Sequence, residues 1–221
     1  MAKASPLGTG PASCSISEPM PHATDRPHQS LAIEATLQGE AYGFGRERLR
    51  LPMGLEASFG WLRHPPTLMV VPRWADGRVL LLRRYRPAVG QRLLEFPSGR
   101  LAAGETAAQA AQRLLDLVLG PNRPGAGPAI AAPWEPLGQL RPNPGYSDEQ
   151  MALGLVRLAP QQVPLPNDTT AGQTCLLRGD DGSTGQLLSF SPAALDAALA
   201  SGDEPLDGRT LTAWFLARRR W

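Results

Sequence analysis

The stretch that decides the fold is residues 95–120, EFPSGRLAAGETAAQAAQRLLDLVLG. Gly99 and Glu105 are separated by five residues, Glu105 and Arg113 by seven, and Arg113 and Gly120 by six. Ala107 to Leu119 predicts a helix. Its Ala, Gln, Arg and Leu residues are good helix formers, Thr106 can cap its start, and Gly120-Pro121 stops it. Ala107, Ala108, Ala111, Leu115 and Leu119 suffice for a core-facing stripe. Leu114, Leu117 and Val118 add to it and make the helix apolar nearly all round, a pattern expected of a buried helix.

Outward from this stretch the chain reads as strands. Thr67–Arg73 and Arg78–Tyr85 are rich in apolar residues and flank Ala75-Asp76-Gly77, a hairpin signal. Leu93–Phe96 predicts a short strand ending at the turn Pro97-Ser98-Gly99. On the other side, 120–133 reads as a Pro/Gly loop, and 136–142 and 150–158 as strands around PNPGYSDE. Residues 160–184 read as irregular, 187–190 as a strand, and 192–200 and 211–219 as helices, the first capped by Ser191. Residues 31–62 alternate weakly and predict strands near 37–50 and 54–62. His64 falls in a turn before Pro65-Pro66. Residues 1–30 are rich in Ser, Pro, Ala and Gly without an apolar period, and a disordered tail is expected there.

Composition narrows the function classes. The chain has 221 residues, of which 42% are apolar, enough for a sizeable core. A net charge of +2 gives no electrostatic case for nucleic acid or an anionic membrane. Cys14 and Cys175 form neither a disulfide framework nor a zinc spacing. No apolar run approaches the ~18 residues of a membrane span, and a cytoplasmic location is expected.

The spacing of residues 99–120 resembles the Nudix box, G-x5-E-x7-R-E-U-x-E-E-x-G-U, with U a bulky apolar residue. The resemblance extends to GRVLLLRRYRPAVGQRLLEFPSGRL before it, to RPNPGYSDE at 141–149 and to SGDEPLDGRTLTAWFLARR at 201–219. These stretches look like the ADP-ribose pyrophosphatase-like branch of the family. The resemblance implies an α/β (α+β) fold: an α/β/α sandwich on a mixed sheet in residues 65–221, with a small antiparallel sheet in 31–64 that serves as a dimerisation region.

It also implies hydrolysis of a nucleoside diphosphate linked to another group, with Mg2+ as cofactor. Mg2+ takes oxygen ligands, and a helix supplies them at i, i+3 and i+4. The three glutamates of the box segment fall here on Leu114, Leu117 and Val118, none of which can ligate a metal. The resemblance then gives Gly99, Glu105, Arg113 and Gly120 structural places, with Glu105 and Arg113 tying the box loop to the helix. Glu149 is the candidate catalytic carboxylate, and Arg86 and Glu95 are candidates for substrate binding. Glu105 and the Ser98 carbonyl are metal ligands if a metal site survives. The expectation is a Nudix-fold homodimer with little or no Mg2+-dependent hydrolysis and a nucleotide or nucleotide sugar as ligand. One alternative is an active pyrophosphohydrolase using Glu105, Glu149 and backbone oxygens. Another is a homodimer scaffold or nucleotide-binding module. The former metal cleft is expected to be filled by side chains.

Overall fold

The computed structural model describes residues 28–119, 133–159, 173–176, 184–203, 205 and 207–221. The predicted tail lies outside them except for its last residues, and so do Gly120 and most of the loop that follows it.

In chain order the strands are β1 (Gln29–Gln38), β2 (Gly43–Arg50), β3 (Glu56–Arg63), β4 (Thr67–Arg73), β5 (Val79–Arg86), β6 (Gln91–Glu95) and β7 (Ser98–Arg100). Helix α1 (Ala107–Leu119) precedes β8 (Glu135–Leu140), β9 (Met151–Arg157), β10 (Gln173–Leu176) and β11 (Thr184–Phe190). Helices α2 (Pro192–Ser201) and α3 (Gly208–Arg218) close the chain.

Strands β1–β3 form an antiparallel sheet of their own. The second sheet runs β10-β11-β5-β4-β9-β8, with β6 on β5 and β7 on β4. Its β4–β9 pair is parallel and its other pairs are antiparallel, so the sheet is mixed.

The N-terminal region holds three strands where the sequence predicted two. A turn closed by Gly39 N–H donating to Tyr42 C=O separates β1 from β2, and β1 starts at Gln29, inside the stretch expected to be tail. Pro97-Ser98-Gly99 was read as a turn and 160–184 as irregular, but Ser98–Arg100 and Gln173–Leu176 pair as strands. Helix α3 starts at Gly208 rather than 211 because the Asp207 carboxylate accepts from the backbone N–H groups of Arg209 and Thr210.

The β4–β5 hairpin turns at Gly77, whose φ of 89° suits glycine. Beyond the hairpin the two strands pair only at Arg73–Val79. Strand β6 then takes β5 and β7 takes β4, while Val70 N–H donates to Pro97 C=O between them. Residues 91–100 are thus wedged into a fork between two central strands. This brings Glu95 and Ser98 to the mouth of the sheet.

Strand alternation puts Leu68, Val70, Leu80 and Leu82 in one core with Ala111 and Leu115 of α1. Met69, Val71 and Leu81 face the other core, with Leu195 of α2 and Ala213 and Trp214 of α3. Helix α1 is not apolar all round as expected. It has a single sheet face to cover, and it buries Ala107, Ala110, Ala111, Leu114, Leu115 and Val118 at the helical period. Ala108 is exposed, and Leu117 remains 45% exposed.

A Cβ added at Gly154 of β9 would lie 2.3 Å from the Trp134 ring, which packs against the α1-side core. Gly154→Ala is expected to destabilise the protein by about 1–3 kcal/mol through overpacking, read by urea unfolding. Adding Trp134→Leu should remove most of that penalty. A neutral Gly154→Ala would contradict this packing.

Candidate functional site

The cavity lies where the fork opens. Its volume is about 790 Å3, and its lining includes Thr67, Arg84, Arg86, Ser98, Leu114 and Glu149. The cleft is therefore open, which corrects the expectation that side chains would fill it. Leu114 is 8% exposed and Val118 4%, so these two lean into the core under the helix. Leu117 lies one turn on from Leu114 and borders the cavity. A carboxylate at position 117 would keep its hydration, so the large destabilisation expected for a filled cleft does not apply there.

Glu95 is 1% exposed and holds a cluster of arginines. Arg86 Nε donates to its Oε1 at 2.7 Å and Arg86 Nη2 to its Oε2 at 2.5 Å. Arg84 Nη2 donates to Oε2 at 3.4 Å, and Arg209 Nη2 lies 4.0 Å from Oε1. Arg84 and Arg86 follow Leu80 and Leu82 on one face of β5, so a period of two delivers both to the cavity. Arg209 comes from the first turn of α3, where its Nε donates to Asp207. Burial works against the Arg209 cation, but Asp207, and then Glu95 and Glu149, outweigh it and hold the guanidinium above its ordinary range.

Glu149 reaches the cavity because its loop is hooked onto β3. Leu62 N–H donates to Tyr146 C=O, Asp148 N–H donates to Leu62 C=O, and Asp148 accepts from Arg63 Nη1 and His64 N–H. The Glu149 carboxylate is 6% exposed and accepts from Thr67 Oγ1 at 2.7 Å. His64 Nδ1 is 2.7 Å from Pro65 C=O and 4.0 Å from Glu149 Oε1. The Pro65 carbonyl can only accept, so Nδ1 is the donor in that hydrogen bond. His64 also stacks edge-on against Tyr42 at 4.9 Å.

Glu105 does not line the cavity. It accepts from Arg113 Nε and Nη2, both at 2.7 Å, and from Ala102 N–H at 3.0 Å, while Arg113 Nη2 also reaches Arg100 C=O. This clamp fastens residues 100–105 to α1. At Gly99 the helix comes close, since a Cβ there would sit 2.6 Å from Leu114 Cδ2.

Of the residues singled out in the sequence, Arg86, Ser98, Gly99, Arg113 and Glu149 meet at the cavity. Glu95 lies behind it and Glu105 beside it, while Gly120 is outside the described residues. Sequence reasoning missed Arg84, Arg209, Tyr42, Thr67 and the inward place of His64. The i, i+2 spacing of Arg84 and Arg86 on a strand was a usable signal; the others depend on contacts between distant segments.

Comparison with known proteins places this geometry. The NUDIX domain family matches residues 63–116. An ADP-ribose pyrophosphatase of Mycobacterium tuberculosis is 27% identical over 128 residues, which is 58% of each chain. The chain thus spans 58% of the length of that curated relative. A solved structure described as an ADP compounds hydrolase superposes with a TM-score of 0.65 at 19% identity, covering 88% of this chain and 94% of the other. The chain has the Nudix fold, and its likeness is to the ADP-ribose pyrophosphatase-like branch of that superfamily. No helix among the described residues is long and apolar enough to cross a membrane.

The Arg113 hydrogen bonds hold the Glu105 carboxyl below its ordinary value of 4.5, against an opposing push from burial. A carboxylate with a depressed folded value adds stability above the unfolded value and loses it as pH falls through the folded one. Glu105→Gln is therefore expected to be less stable than the parent at pH 7. The gap should hold down to about pH 4.5 and close below it. Urea unfolding of both proteins from pH 7 to 3 checks this; a gap that widens in acid would refute the clamp.

Proposed function

We propose that this protein binds a nucleotide or nucleotide-sugar diphosphate in the cavity and has little or no Mg2+-dependent hydrolase activity. One observation carries the reading. Helix α1 presents Leu114 and Leu117 to the cavity from the positions where the box resemblance requires oxygen ligands. The donors that remain do not fit Mg2+. Glu105 is engaged with Arg113 and Ala102, and Glu149 with Thr67. Among the described residues no group of three or more His, Cys, Asp or Glu is arranged to hold a metal ion. Arg84, Arg86 and Arg209 support the binding half of the proposal, because guanidinium groups suit phosphate oxygens. The names of the relatives support the ligand class.

A second reading keeps an active pyrophosphohydrolase. It is favoured by one observation, that Glu149 and Ser98 share the cavity. The readings separate in a hydrolysis assay with ADP-ribose and Mg2+. Turnover at or near background is expected, since metal ligands supply both charge stabilisation and an activated water. Clear turnover that disappears in Glu105→Gln would establish the second reading.

Homodimerisation through β1–β3 is part of the proposal. That sheet leaves Leu37 and Phe44 exposed on one face and Ile33 and Phe59 on the other, so each face offers a pair of large apolar side chains to a partner. Light scattering at micromolar concentration should give the dimer mass; a monomer mass would rule the interface out.

A further inference from the structure

We infer that the cavity binds, without a divalent cation, a phosphate or diphosphate ester whose organic group is apolar. This rests on the proposed reading of the cavity as a metal-free site for phosphorylated ligands, and it extends that reading beyond nucleotides.

The apolar part of the lining includes two of the positions where the box resemblance expects metal ligands. Leu101, Leu114, Leu117 and Met151 all line the cavity. Leu117 is 45% exposed, so an apolar group lying on it removes aliphatic surface from water. The anionic part falls to Arg86 and Arg209, which line the same cavity with side chains 24% and 25% exposed. Arg86 uses Nε and Nη2 on Glu95, and Arg209 uses Nε on Asp207. A guanidinium carries more N–H donors than these bonds use. The remaining donors of both side chains have no hydrogen-bond acceptor among the described residues.

Glu95 and Asp207 offset much of the arginine charge, so recognition rests on directed donors rather than on net charge. The same carboxylates hold the guanidinium groups in place, so little side-chain freedom is lost when an anion arrives. Glu149 disfavours an anion on the Thr67 side of the cavity. The phosphate therefore belongs at Arg86 and Arg209 and the organic group against Leu114 and Leu117. A carboxylate-lined metal site binds phosphate through its cation. Here the arginines take that part directly, and the helix face that would hold the metal contacts the rest of the ligand.

The test is calorimetric titration of the full chain in EDTA with geranyl diphosphate and with inorganic pyrophosphate. Geranyl diphosphate is expected to bind at least about tenfold more tightly than pyrophosphate, which burial of two or so methylenes supplies. Leu117→Asn, at a half-exposed position, should remove most of that advantage and leave pyrophosphate binding unchanged. Arg209→Gln should weaken both ligands. Equal affinity for the two ligands, or binding of either only with Mg2+, would overturn the inference. So would a Leu117→Asn protein that keeps the full preference. The outcome is separable from the hydrolysis assay. Absent turnover with no binding in EDTA would leave the proposed function standing and remove this inference. Turnover with Mg2+ alongside tight geranyl diphosphate binding in EDTA would do the reverse.

Discussion

The buried Glu95 carboxylate is the constraint on which the site depends. A carboxylate almost wholly removed from water is strongly destabilising unless it is paired and hydrogen-bonded. Glu95 meets that demand by drawing Arg84 and Arg86 of β5 and Arg209 of α3 to one point. Two of those side chains come from one strand and the third from α3, and their convergence joins the wedge at 91–100 to the C-terminal helix. Phe96 N–H donating to Thr210 Oγ1 fastens the same junction through the backbone. The arrangement holds the arginines beside the cavity, and the proposed phosphate site rests on that placement.

Much of the fold was legible because it rests on local patterns. The apolar runs of β4 and β5, the Asp76-Gly77 turn between them and the helix-forming composition of 107–119 each state their structure within a short window. The N-terminal sheet was less legible. Strand β1 is mostly exposed along its length, so it lacks the apolar alternation by which a half-buried strand is recognised. Strand β7 was missed for another reason: three residues that pair only because β4 and β5 diverge carry no pattern of their own.

The same distinction divides the candidate site. The spacing from Gly99 to Arg113 and the loop ending at Glu149 could be read as residues of interest from the sequence, and the cavity brings most of them together. Arg209 could not, because its place follows from the Asp207 cap and the docking of α3 onto β6. His64 was read as a turn residue, and it lies in the irregular link between β3 and β4. The hook between β3 and the 143–149 loop is a contact across more than eighty residues, and it is this hook that turns the histidine toward Glu149. The expectation for α1 failed by an error of geometry. Nine apolar residues on a helix do not bury all of its faces when only one sheet lies beneath it; the helical period selects six, and Leu117 is left at the rim.

That geometry gives the box loop a means of support that does not depend on a metal. The loop from Arg100 to Glu105 is held by Arg113, by Ala102 N–H and by the Arg100 carbonyl, all of which act without a cation. Glu105 therefore has a structural reason to be a glutamate whether or not a metal binds. Positions 114 and 118 have a different one. Both point toward the sheet, where an unpartnered carboxylate would be desolvated and an aliphatic side chain adds to the core. In this chain they strengthen the packing of α1. The positions that could still vary toward ligand chemistry at small cost to the fold are those at the rim, and of the three box positions Leu117 is the one that is both exposed and at the cavity. The apolar residues at the positions where the box resemblance expects glutamates thus divide between the core below the helix and the open cleft beside it.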